Sequence, residues 1–96
     1  MNSNYFEKNK KKILNLYKEQ KFLELIKLGV KLIKFNSNDA QLIYLLGLSS
    51  INLQKFLDAE KYFEKLISIK KTPEIYYIYG NIQKKIKKYN NAVISF

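Results

Sequence analysis

Apolar residues return every three or four positions along almost the whole chain. Phe22, Leu25, Ile26, Leu28, Leu32, Ile33 and Phe35 form one such run, Leu42, Leu45 and Leu46 a second, and Phe56, Ala59, Tyr62, Phe63, Leu66 and Ile67 a third. That spacing keeps one face of a 3.6-residue helix apolar. No run alternates apolar and polar positions for long enough to make a strand, so the pattern predicts an all-α fold. Between the runs stand residues that start helices: Ser3 or Asn4, Asn38-Asp39, Thr72 before Pro73, and Asn90. Each can accept a hydrogen bond from a free N–H of the first turn, and Pro73 occupies a first helical position, where a missing N–H costs nothing. Weaker breaks near Gln20 and at Gln54-Lys55 complete six predicted segments, at about 5–18, 21–35, 39–53, 56–70, 73–87 and 90–96. Short connections make neighbouring segments antiparallel.

The segments also repeat. Gly47 and Gly80, Phe56 and Tyr89, Ala59 and Ala92, and Phe63 and Phe96 are all separated by one and the same interval. Phe22 precedes Phe56, and Leu25 precedes Ala59, by that interval and one residue more. The chain reads as a single domain, residues 1–96, holding about two and three-quarter repeats at about 6–39, 40–72 and 73–96, the last incomplete. Glycine inside a helix costs about 0.8–1 kcal/mol relative to alanine, so its return at one register implies close helix packing that outweighs the cost. On that reading Gly80→Leu drives a branched side chain into a tight contact and loosens the third repeat. Phe96 falls in the second turn of the sixth segment, and Ala92, Val93 and Phe96 leave an unfinished apolar face where a helical stack needs a polar cap. We therefore expect a longer product or a truncated gene, and association through the incomplete C-terminal repeat.

These positions resemble the tetratricopeptide repeat, whose 34-residue helix–turn–helix carries W-x2-L-G-x2-Y, then A-x3-F, then P. The second copy here has Ile43-x2-Leu46-Gly47-x2-Ser50 and then Ala59-x3-Phe63; the third has Tyr76-x2-Tyr79-Gly80-x2-Gln83 and then Ala92-x3-Phe96. The first copy departs from the pattern, with Ile13, Leu25 and Gly29 where the glycine, alanine and phenylalanine stand, and Pro73 opens a helix rather than closing one. The resemblance implies a right-handed α-solenoid of antiparallel helix pairs, a concave groove lined by the first helix of each pair, and protein–protein or protein–peptide interaction. By register it implies a partner-binding groove of Lys10, Leu14 and Tyr17, then Gln41, Tyr44, Leu48, Ile51 and Asn52, then Tyr77, Asn81, Lys84 and Lys85. The clamp with which one subclass holds chaperone C-termini is not matched, because Leu14 stands at its asparagine position and Glu74 and Ile78 at basic ones. Arrays that resemble this one also precede transferase domains, so the alternative function is that of an N-terminal substrate-docking segment of a larger sulfotransferase or glycosyltransferase.

Charge adds a lesser alternative. The net charge is +10, which suits an anionic surface, but all 18 basic residues are lysine, and arginine is the residue favoured for bidentate contacts to phosphate and guanine. Specific nucleic-acid recognition is therefore not expected. Lys84, Lys85, Lys87 and Lys88 fall at the end of the predicted fifth helix, where the macrodipole favours cations. Cysteine and histidine are absent, the eight carboxylates pair with no metal-ligand partner, and no glycine-rich phosphate loop occurs. No enzymatic activity, cofactor or metal is expected. The first residues do not read as a signal peptide, and the near-apolar stretch from Leu42 to Leu53 is short of the roughly 20 residues that span a bilayer. A cytoplasmic location without a transmembrane segment is the expectation.

Overall fold

The computed structural model describes residues 2–95, with side chains from residue 4 to residue 90. Five helices follow one another: α1 (Asn2–Lys18), α2 (Phe22–Leu32), α3 (Ala40–Asn52), α4 (Phe56–Ile69) and α5 (Pro73–Ser95). No strand occurs among the described residues, as the apolar periodicity requires. Two of the starts are capped as their residue types predict. Asp39 accepts the Leu42 N–H at 2.9 Å to open α3, and Thr72 Oγ1 accepts the Ile75 N–H at 3.3 Å to open α5 at Pro73. Ser3 and Asn4 instead lie inside α1, whose first turns are held by Tyr5 packing against Phe35, ring centroids 5.2 Å apart.

The breaks at Gln20 and Gln54 form matching turns. Gln20 and Gln54 both adopt φ of 59°, the left-handed region. Around the first, Lys21 N–H donates to Leu16 carbonyl and Gln20 N–H to Tyr17 carbonyl; around the second, Lys55 donates to Ser50 and Gln54 to Ile51. These pairs of bonds satisfy the last carbonyls of α1 and α3 in Schellman fashion. For a non-glycine residue that conformation costs about 1–2 kcal/mol. The cost is offset because each turn folds an apolar helix back onto its predecessor.

At the third equivalent position no turn occurs. The break predicted at Asn90 is absent, and the fifth and sixth predicted segments form one helix of 23 residues. A turn there would need a left-handed, non-glycine residue at Lys87, whereas an unbroken helix keeps every backbone bond. The four lysines therefore lie mid-helix, not at a C-terminus, and the macrodipole gives no account of them.

Two clusters of buried side chains run along the stack. Phe6, Ile13, Leu16, Leu25, Leu32, Leu42, Leu45 and Leu46 fill the first, and Ile43, Phe56, Ala59, Phe63, Leu66, Ile75 and Ile82 the second. Each helix packs on the next, and α1 also reaches α3. The resulting body measures 53 × 27 × 21 Å.

Glycine has a different role in each place. A Cβ on Gly47 would stand 2.5 Å from Phe63 Cε2, so α3 and α4 approach as closely as they do only because that atom is missing. A Cβ on Gly29, which replaces the expected phenylalanine, would stand 2.6 Å from Leu46 Cδ2, so this departure from the pattern seats α3 against α2. Among the described residues, a Cβ on Gly80 would meet no atom of another element within 4 Å. The expectation that Gly80→Leu disrupts a tight contact is therefore wrong for this structure: the helix that would press on Gly80 has not turned back.

Candidate functional site

The first helices of successive pairs, α1, α3 and α5, are tied together by polar bonds that cross between them. Lys10 Nζ on α1 lies 2.8 Å from Asp39 Oδ2, the same carboxylate that caps α3, and both side chains are largely withdrawn from solvent. Further along, Tyr44 Oη on α3 donates to Glu74 Oε1 on α5 at 2.9 Å. Burial, and then the Glu74 carboxylate accepting from it, push the Tyr44 phenol up to about 12. Tyr44 is thus a fixed donor near neutral pH, braced from behind by the edge of Phe63 at 5.9 Å.

Helical spacing aligns the rest. Lys10, Leu14 and Tyr17, at intervals of four and three, share one face of α1; Gln41, Tyr44 and Leu48 share one of α3; Tyr77, Asn81 and Lys84 share one of α5. Glu74 lies one turn before Tyr77, so its bond to Tyr44 sets the α3 and α5 stripes side by side. An open cavity of about 570 Å³ lies at the start of this face, lined by Gln41 and Tyr44 together with Lys70, Thr72 and Glu74. Tyr77 is 71 % exposed, the largest exposure of any described aromatic ring. Gln41 and Lys84 are exposed, and Leu48, Ile51, Asn81 and Tyr17 half-buried, Tyr17 being edge-on to Phe22.

Four of the expected groove residues are engaged within the chain. Lys10 is neutralised by Asp39, and the Tyr44 hydroxyl is taken by Glu74. The Asn52 amide donates to the Leu48 carbonyl one turn back. Lys85 holds its ammonium 5.6 Å from the centre of the Phe56 ring, which also stacks on Tyr89 at 5.7 Å, so it faces the start of α4. The sequence reading missed Asp39 and Glu74 as members of this face. Asp39 was legible as a helix cap, but partners 29 and 30 residues apart leave no local signature.

Among the described residues no group of three or more carboxylates forms a metal-binding cluster, and no helix is long and apolar enough to cross a membrane. The geometry presents a surface of apolar floor and amide or ammonium edges. The profile of the tetratricopeptide repeat matches residues 40–73 and again 73–96, more than half of the chain. No curated protein and no solved structure matches it. With two adjoining matches, on an all-helical stack with a small-residue contact at the expected register, the chain belongs to the tetratricopeptide repeat family.

Proposed function

We propose that the chain is a non-catalytic binding module, a single domain of repeats at about 6–39, 40–72 and 73–96, whose concave face takes a segment of another protein. Proteins of this family generally mediate protein–protein interaction. The observation that carries the reading here is the Tyr44–Glu74 bond, because it aligns α3 and α5 and leaves Leu48, Asn81 and the exposed ring of Tyr77 open along one side. Tyr17 and Gln41 continue that surface, and Lys84 adds a cation at its far end. Lys10, Tyr44, Asn52 and Lys85 shape the face and are not the groups a ligand would first meet. Tyrosine is among the side chains that most often dominate binding energy at such surfaces.

The test begins with peptides selected from a random library for binding to the 96-residue chain. Tyr77→Ala weakens their binding by about tenfold or more, the loss usual for a central anchor. Leu57→Ala, on the exposed side of α4, leaves it within about twofold, as expected of a residue outside the contact. The reverse ranking places the binding face elsewhere and defeats the proposal.

A further inference from the structure

We infer that the outer face of α2, carrying Leu23, Lys27 and Val30 with Lys34 just beyond its end, docks on the surface of a lipid bilayer rich in anionic headgroups. This is a second surface, on a helix that does not line the groove, and it does not depend on what the groove takes.

Helical register sets the face. Leu25, Gly29 and Leu32 are the buried positions of α2. Leu23, Lys27 and Val30, at intervals of four and three, form an exposed stripe on the opposite side, and Lys34, exposed just past the helix, extends it. Leu23 is 49 % and Val30 41 % exposed, so two aliphatic side chains stand uncovered among ammonium groups. Among the described residues Lys27, Lys31 and Lys34 form no ion pair. Helix α1, packed against α2, adds exposed lysines at Lys8 and Lys12, one turn apart. Nine lysines and three carboxylates precede Asp39, whereas three lysines and four carboxylates lie from Asp39 to Ile69, so the first helix pair is strongly basic and the second is not.

The second pair supplies the comparison. Leu57, Asp58, Lys61 and Lys65 of α4 match Leu23, Glu24, Lys27 and Lys31 one repeat earlier, so those four belong to the repeat and select nothing. Two exposed positions differ: Val30 stands where α4 has Glu64, and Lys34 where it has Ser68. The first difference replaces a carboxylate by an aliphatic group, and the second adds a cation. The α4 face is left with as many carboxylates as lysines, the α2 face with three lysines to one carboxylate. Both differences match a boundary that attracts cations and holds an apolar layer beneath its charge. A polyanion such as nucleic acid accounts for Lys34 but not for Val30. Lysine also fits a bilayer, because its long stem lies along apolar groups while the ammonium stays at headgroup level.

The absence of cysteine allows an environment-sensitive fluorophore to be placed at Val30→Cys or, as the matched control, at Glu64→Cys. Vesicles of phosphatidylserine and phosphatidylcholine in equal parts should shift the emission of the first label to the blue and leave the second unchanged. Phosphatidylcholine alone should shift neither. In sedimentation with the mixed vesicles, Lys27→Gln with Lys34→Gln weakens partitioning of the unlabelled chain by roughly twentyfold, about fivefold for each cation near the surface. Lys61→Gln with Lys65→Gln removes the same charge from α4 and weakens it by less than about fivefold, since screening limits the reach of cations outside the contact. Leu23→Gln with Val30→Gln, which leaves the charge intact, weakens it by about tenfold. All of these side chains are exposed, so the helices persist in every variant. No partitioning, a blue shift at both labels or at neither, equal losses for the two lysine pairs, or indifference to the Leu23 and Val30 changes each overturns the inference. In the last case, equal affinity for duplex DNA makes nucleic acid the occupant.

Discussion

The pair α3–α4 and the helix α5 begin from nearly the same sequence pattern and end differently. Both carry a small residue at one register, with an alanine and then a phenylalanine at matching intervals beyond it. In the first, Gln54 turns the chain, α4 returns, and Phe63 closes over Gly47. In the second, the helix runs on through Lys87 and Lys88 to Ser95, and Gly80 faces open space. A motif of small and aromatic residues thus does not by itself specify a contact: the turn between them must also form. Local propensity alone favours the straight form, since the turn residue must leave the right-handed region without being glycine.

The strongest way to break that comparison is to make one substitution at both glycines. Alanine at Gly47 gains helix propensity but places a methyl against a buried aromatic ring that has little room to move. Overpacking of about 1–3 kcal/mol, less about 1 kcal/mol of propensity, leaves a net loss of up to about 2 kcal/mol. Urea unfolding checks it: the midpoint of Gly47→Ala falls while the slope is unchanged. A midpoint equal to the parent's means that α3 and α4 are further apart than described.

The matched change, Gly80→Ala, reverses the sign. With no packing partner for the new methyl among the described residues, propensity acts alone and stabilises the helix by about 0.5–1 kcal/mol. Higher helicity and a raised urea midpoint are the expected readings. A loss as large as that at Gly47 means instead that Gly80 is covered by packed side chains.

Most of the fold was legible because it rests on short-range pattern. The 3.6-residue periodicity located the helices, and Asp39, Thr72 and Pro73 announced their starts. The repeat singled out Gly47 and Ala59, both of which are buried. What failed was any inference needing knowledge of the partner surface. Gly29 looked like a defect because phenylalanine belongs there, yet it admits Leu46 from the helix that follows. Gly80 looked like a contact because its register said so, and the contact requires a helix that lies elsewhere. The groove was legible as three stripes, and which members remain free was not: the charge of Lys10 and the hydroxyl of Tyr44 are taken by partners 29 and 30 residues away.

The smallest effect probes the bond that joins the two regions. Tyr44 donates to Glu74 across α3 and α5, and its phenol is pushed up to about 12 by burial and by that carboxylate. In the unfolded chain the phenol has its ordinary value near 10, so between about pH 10 and 12 the unfolded state gives up this proton while the folded state keeps it. The stabilisation is thus fully present below about pH 10 and is lost as pH rises through the folded value. Tyr44→Phe removes both the bond and this titration, and costs about 0.5–1 kcal/mol at neutral pH, the low end for a half-exposed hydrogen bond. Tyr62 and Tyr79, also shifted upward by desolvation and nearby carboxylates, titrate alike in both proteins and cancel in the difference. The gap in urea midpoint between parent and variant should therefore close as pH is raised from about 10 toward 12. If the gap stays constant across that range, Tyr44 is not holding its proton against Glu74, and the link between α3 and α5 must be carried by the buried cluster that Ile43 shares with Ile75 and Ile82.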